Sequence, residues 1–243
     1  MKNIEVIVDI QDRKLYGWLS GTGEPLVILD AGMGDTSEDW SKIQLEVARF
    51  TRVLSYDRAG MRRSDPGPTP RTCQSMMIDL RLLLTAASLP PPYVLVAHSW
   101  SGLNARWFAN QYPDEVVGMV LVDAVHEGRY ERFAQVMTEE QTQRMWVSFK
   151  DPTKNDECID RVASIAQVTG NQRIYDFPLA VLTRAPDGDV LRQIEIELQG
   201  ELLKLSTNSR QYFSKYSDHF INTSEPELII EAIRQVVELI REN

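Results

Sequence analysis

The sequence predicts an α/β fold: a mostly parallel central sheet of about eight strands, helices on both faces, and a helical insertion late in the chain. Three observations carry this. Short, wholly apolar runs at 26–29 and 116–122 suit strands covered on both faces of a parallel sheet. Amphipathic helical stretches alternate with such runs. And 93–104 passes from an apolar strand through a tight turn of small residues straight into a helix.

In chain order, 4–9 and 14–19 read as two strands joined by a polar turn at Gln11, Asp12 and Arg13. Gly21, Gly23 and Pro25 break the pattern before the strand 26–29. A glycine-rich loop, 30–37, follows it. No lysine follows and the Gly-x-Gly-x-x-Gly spacing is absent, which argues against a nucleotide loop. Backbone amides freed by glycine suit an oxyanion hole, with a plain turn as the alternative. Trp40, Ile43, Val47 and Phe50 have helical spacing, and 52–56 is the next strand. Asp57 at its end reads as a loop-fixing carboxylate working with Arg58, or else as a catalytic one. Arg62 and Arg63 belong to a solvated loop. Met77, Leu80, Leu83, Leu84 and Ala87 mark a helix that Pro90, Pro91 and Pro92 stop.

The strand-turn-helix segment reads Ala97-His98-Ser99-Trp100-Ser101-Gly102. A sharp turn there pushes a serine out of the sheet, and the positions two before and two after it must be small; the usual pattern is Gly-x-Ser-x-Gly. Ala97 and Ser101 replace both glycines with the next-smallest side chains, at the risk of crowding the turn. Ser99 also reads as an ordinary helix-starting serine. Asp123 ends the strand 116–122, at the sheet edge where open parallel sheets bind ligands. Residues 125–176, charged and glutamine-rich with patchy amphipathic stretches, form the predicted helical insertion, a lid between core segments 1–124 and 177–243. A strand at 179–182, a helix over 190–206 and an edge strand at 211–216 lead to Asp218-His219-Phe220. The last helix begins with a capping box of Ser224 and Glu227 and carries the stripe Ile229, Ala232, Ile233, Val236, Val237, Ile240.

Composition bounds the partners. A length of 243 residues with 43% hydrophobic content supports one large core. A net charge of −9 argues against a nucleic-acid partner. Residues 1–10 alternate charged and apolar side chains, unlike a secretory segment. No stretch approaches the roughly 20 apolar residues of a membrane helix. Cys73 and Cys158, without metal-ligand spacing, read as reduced thiols in a cytoplasmic protein.

In combination these stretches resemble the α/β-hydrolase family across nearly the whole chain. Asp30-Ala31-Gly32-Met33-Gly34 is similar to its oxyanion loop, with Ala31-Gly32 where many members have His-Gly. Tyr56-Asp57-Arg58-Ala59-Gly60, followed by Ser64-Asp65-Pro66-Gly67, resembles the loop after its fourth strand. The elbow around Ser99, Val120-Leu121-Val122-Asp123-Ala124, and Ser217-Asp218-His219-Phe220-Ile221 match its nucleophile turn, sixth strand and histidine loop.

The resemblance implies Ser99 as nucleophile, His219 as general base and acid, and the backbone N–H groups of Met33 and Trp100 as oxyanion donors. The acid would follow the seventh strand, at Asp187 or Asp189, or the sixth, at Asp123. Asp123 is preferred, because 183–187 lacks the glycine that shapes the later turn. Of the three histidines, His98 should point away from the serine as a packing residue. His126 lies where a lid or substrate contact would be, and His219 has the required chain order. Asp218, where glycine usually precedes the histidine, is expected to raise the His219 pKa.

The implied activity is hydrolysis of an ester or related acyl bond through an acyl-enzyme, with no metal or organic cofactor. The substrate would be a small, apolar acyl compound near Trp100, Met33, Trp146 and Phe149, side chains that equally suit plain packing. The alternatives are a ligand-binding protein of the same fold, or perhydrolysis or C–C cleavage on the same scaffold. Dehalogenase and epoxide hydrolase chemistry is disfavoured because those relatives carry Asp at the elbow.

Overall fold

The structure, a computed structural model, describes residues 4–170 and 173–242; positions 1–3 of the first predicted stretch and 171 and 172 of the predicted insertion lie outside the described residues. The hairpin β1 (Ile4–Ile10) and β2 (Arg13–Ser20) is antiparallel, and β2 lies antiparallel on β4 (Arg52–Asp57). From β4 onward the pairing is parallel through β3 (Leu26–Asp30), β5 (Tyr93–His98), β6 (Val116–Val122), β7 (Leu179–Thr183) and β8 (Ser209–Phe213). The described sheet is eight-stranded, in the order β1-β2-β4-β3-β5-β6-β7-β8.

Every residue of β3, β5 and β7 is buried, which explains why these strands read as apolar runs rather than alternating ones. One face carries α1 (Ser41–Val47) and α9 (Pro226–Glu242), where Val27, Val94 and Val120 join Ile43, Ile233 and Val236. The other carries α2 (Cys73–Ala86) and α3 (Ser101–Gln111), where Ile28, Leu95 and Leu121 join Leu80, Leu83 and Phe108. Gly118 on β6 lets α9 close on the sheet, since a Cβ there would lie 2.7 Å from Val236 Cγ1. Between β6 and β7 run α4 (Arg129–Ala134), α5 (Glu139–Lys150) and α6 (Arg161–Thr169); α7 (Val190–Leu202) precedes β8, and α8 (Ile221–Ser224) precedes α9.

Three local expectations change. The edge strand is Ser209–Phe213, not 211–216, because the Glu225 carboxylate accepts the N–H groups of Lys215, Tyr216 and Ser217 and folds that stretch into a loop. The capping box at Ser224 is not formed. Ser224 ends α8 with its hydroxyl donating to the Phe220 carbonyl, and Pro226 opens α9, where a missing N–H is harmless. The helix predicted over 190–206 is α-helical to Leu202 and tightens to a 3₁₀ turn at Leu203–Leu205.

What positions the 30–35 loop is Arg58, 5% exposed just past β4. Its guanidinium donates to Asp30 Oδ1 at 2.6 Å, to the carbonyls of Ala31 and Gly32 at 2.6 Å each, and to Ser101 Oγ at 3.2 Å. It also reaches both oxygens of Glu157, from the β6–β7 segment, at 2.7 and 2.6 Å. Glu157 accepts the Gly34 N–H as well, at 2.8 Å. Burial alone would raise the Glu157 carboxyl, but Arg58 overrides it and holds it below its ordinary value. The expected partnership of Arg58 with Asp57 is therefore corrected: Asp57 fixes a loop by accepting the Ser37 N–H at 2.9 Å, while Arg58 is drawn to the two carboxylates on its other side.

Replacing Arg58→Met strands Asp30 and Glu157 as buried charges and is expected to cost about 3–5 kcal/mol in urea unfolding. Gly118→Val drives a side chain into α9 and should cost about 1–3 kcal/mol in the same measurement.

Candidate active site

Ser99 sits between β5 and α3 with φ of 55°, in the left-handed region that non-glycine residues seldom occupy. Its neighbours hold it there. Its N–H donates to the Val122 carbonyl at 3.1 Å, and its carbonyl accepts from Val125 at 2.8 Å and Gly102 at 3.1 Å. Ala97 is fully buried without displacing the turn. Ser101 does not crowd it either, because its hydroxyl donates to the Ala31 carbonyl and tethers the 30–35 loop to α3. The strict demand for glycine falls one residue later, at Gly102, where a Cβ would lie 2.5 Å from that of Ala124.

His219 lies beyond β8, half-buried, with Nε2 2.9 Å from Ser99 Oγ and Nδ1 2.5 Å from Asp123 Oδ2. Asp123 is buried at the end of β6, with φ of 42° and its N–H donating to Leu182 at 2.8 Å. Asp187 and Asp189 are exposed and occupied elsewhere. Asp189 accepts the Leu191 and Arg192 N–H groups at the start of α7, and Asp187 pairs with Arg192 at 3.1 Å. Asp123, rather than either of these, faces His219.

With its proton on Nδ1 donated to Asp123, His219 presents Nε2 as acceptor to the Ser99 hydroxyl. Such a hydroxyl can act as a nucleophile. Burial pushes the imidazole below its ordinary value, and the hydrogen bond to Asp123 opposes this without cancelling it. The direction is opposite to that expected from Asp218, whose carboxylate turns instead to the Phe220 N–H at 2.9 Å. Burial would raise the Asp123 carboxyl, but hydrogen bonds from His219 and Arg184 hold it below its ordinary value.

His98, expected as a packing residue, makes polar contacts as well. Its Nε2 lies 3.0 Å from the His219 carbonyl, its ring is 4.7 Å from the His219 ring, and its Nδ1 is 3.5 Å from Asp35. His126 accepts the Gly128 N–H on Nδ1 at 3.0 Å and faces Glu127. Met33 is half-buried in the 30–35 loop, and Trp100 is buried at the start of α3. Next to Met33, the Gly34 N–H is taken by Glu157 and the Asp35 N–H by the Gly32 carbonyl at 3.1 Å. Trp146 and Phe149 pack with Tyr130 inside the β6–β7 segment, with ring centroids 5.5 Å (Trp146–Phe149) and 4.1 Å (Tyr130–Phe149) apart, which favours packing over contact with an acyl group.

Sequence spacing points to neither Glu157 nor Arg184. Glu157 is 99 residues from its partner Arg58, inside a segment with no chemical motif. Arg184, one residue past β7, carries no signal beyond its place at a strand end. Among the described residues no group of three or more His, Cys, Asp or Glu side chains is arranged to hold a metal ion, and no helix is long and apolar enough to cross a membrane.

A family model described as alpha/beta hydrolase fold matches residues 24–167, more than half of the chain. An AB hydrolase superfamily protein of Gibberella zeae is 24% identical over 286 aligned positions, covering 90% of this chain and 88% of that one. A probable transporter, efuK of Hormonema carpetanum, is 31% identical over 134 residues, 52% of this chain, and this match spans only 19% of its length. Among solved structures, a thermophilic esterase from Thermogutta terrifontis superposes with a TM-score of 0.68 at 20% identity, covering 99% of each chain. The haloalkane dehalogenase DatA of Agrobacterium tumefaciens C58 does so at 0.68 and 17%, covering 98% of this chain and 97% of its own. At such identities the superpositions show the fold alone; with the family match, the chain belongs to the alpha/beta hydrolase fold family.

Proposed function

We propose that this chain is a serine hydrolase that cleaves a carboxylic ester through an acyl-enzyme on Ser99. The observation that carries the proposal is the continuous contact from Ser99 Oγ to His219 Nε2 at 2.9 Å and from His219 Nδ1 to Asp123 Oδ2 at 2.5 Å. Ser99 Oγ attacks the ester carbonyl while His219 takes its proton on Nε2. Asp123 stabilises the imidazolium and keeps the ring in the tautomer that accepts at Nε2. The carbonyl oxygen, now an oxyanion, is received by the N–H groups of Met33 and Trp100. Collapse breaks the bond to the leaving alcohol, which His219 protonates. Water, deprotonated by the same imidazole, then releases the acid and restores Ser99. No metal or organic cofactor is needed for these steps.

Serine rather than aspartate at the elbow favours this over a dehalogenation like that of the structural neighbour DatA. Half-buried Met33, and Phe220, 48% exposed with its ring 5.3 Å from that of His219, favour a small apolar acyl group. The segment 125–176 is proposed as the lid. Through Glu157 it touches the loop that bears Met33, so lid placement and oxyanion geometry are coupled.

Incubation with a fluorophosphonate, followed by peptide mass spectrometry, should give one adduct on Ser99 with loss of fluoride, absent in His219→Ala. A folded protein that forms no adduct would leave a ligand-binding role for the fold. Ser99→Ala should lower kcat on a short p-nitrophenyl ester by at least about 10³-fold, and Asp123→Asn by about 10⁴-fold. The base must be neutral to work, and burial holds His219 below its ordinary value of about 6.5. Activity should therefore persist below pH 6.5 and fall only as pH drops through the lowered value, which a kcat/KM profile would read.

A further inference from the structure

We propose that Arg184 is a positioning residue for this site: it grips Asp123 in an ion pair and withdraws part of that carboxylate's charge from His219, so the base stays neutral at more acidic pH. The inference rests on His219 acting as the base of the proposed hydrolase. Arg184 leaves the end of β7, where the family resemblance offers its other seat for the acid, and its side chain is 7% exposed. One terminal nitrogen pairs with Asp123 Oδ2, the same oxygen that faces His219, and lies 2.8 Å from His219 Nδ1. Asp123 Oδ1 is buried with no hydrogen-bond partner among the described residues, so Oδ2 alone is shared between the imidazole and the guanidinium.

The electrostatic consequence has a definite sign. Protonating His219 creates a cation, which Asp123 favours and a permanent cation 2.8 Å from Nδ1 disfavours. The other groups around His219 come from four places. His98 at the end of β5 stacks beside it, with Asp35 of the 30–35 loop behind; Ser99 at the elbow meets Nε2; Asp218 of its own loop turns to the Phe220 N–H. Arg184 is the permanent cation of this set.

The charge left on Arg184 is itself set from behind. Its other terminal nitrogen meets Glu195 Oε2, on α7, at 2.9 Å, and the second Glu195 oxygen pairs with Arg129 of α4. Charges thus alternate from Asp123 through Arg184 and Glu195 to the β6–β7 segment. Removing Arg184 and removing Glu195 must move His219 in opposite directions, which a merely structural ion pair would not do.

The chain has three histidines, so their imidazole C–H signals can be followed one by one by NMR titration. In Arg184→Gln the His219 midpoint should rise, and Ser99 acylation by the fluorophosphonate on the acid limb should fall roughly threefold. In Glu195→Gln the midpoint should drop, and in Arg184→Lys it should stay near that of the unsubstituted protein. Midpoints that do not move, or that move together while only the melting temperature falls, overturn the inference. If Arg184→Gln does not fold, Glu195→Gln decides: a lower midpoint supports the inference and an unmoved one overturns it. Absence of acylation in the unsubstituted protein at every pH instead overturns the hydrolase proposal, and with it the catalytic purpose of Arg184, whatever the titration gives.

Discussion

Three parts of the chain that are distant in sequence converge on one buried guanidinium. Arg58 binds the end of β3 through Asp30, the following loop through the Ala31 and Gly32 carbonyls, the elbow helix through Ser101, and the β6–β7 segment through Glu157. Lysine could not do this, because it has one point charge where Arg58 spreads five donors over a rigid plane. Carbonyls that turn toward Arg58 orient their peptide planes, so the N–H groups on the far side of those planes have little freedom left. The amide of Met33 is carried by the Gly32 carbonyl's own peptide unit. Its direction therefore follows from the bond between Arg58 and that carbonyl, not from anything in the loop sequence alone.

The turn at Ser99 and the Asp123 carboxylate are coupled by strand register. His98 pairs with Val122, and Val122 with Leu182, so β5 and β6 end at one level and β7 runs one residue beyond it. Ser99 and Asp123 each follow the last residue of a strand, and both adopt positive φ. A residue in that region costs of order 1–3 kcal/mol unless its surroundings over-determine it. Here the Ser99 N–H bonds the strand that delivers Asp123, and the Asp123 N–H bonds the strand that delivers Arg184. The two bends are secured by the ladders that run up to them, and the side chains emerge at the same edge.

Most of the fold is legible in the sequence because its signals are local. The apolar run 116–122 and the stripe from Ile229 to Val237 need no partner to be read, and apart from half-buried Val117 both are buried as their periodicity requires. Ser99, Asp123 and His219 are legible as a set because each occupies a strand end or the loop behind one. What escapes are interactions whose meaning lies in a distant residue. Ser101 looks like a flawed elbow glycine until Ala31 is beside it, and Glu157 looks like one more charge in a charged segment until Arg58 faces it. The capping box at Ser224 fails for the converse reason. A local signal was present, but Glu225 is bound to the 214–217 loop and Pro226 already serves as the first helical residue.

The seat of the proposed acid follows from the same electrostatics. The sheet edge offers two positions near one imidazole, after β6 and after β7. Two carboxylates there could not both stay ionised, since like charges at such distances force one to hold a proton. Asp123 occupies the first position, fully buried, with one oxygen and two donors. An uncharged residue at the second would leave that carboxylate to face His219 alone and strengthen the imidazole as a base. A cation at the second position neutralises the buried carboxylate from the side and weakens its hold on the imidazolium. The identity of residue 184 is therefore tied to the carboxylate at 123: with the proposed acid after β6, the charge after β7 sets how strongly His219 holds a proton.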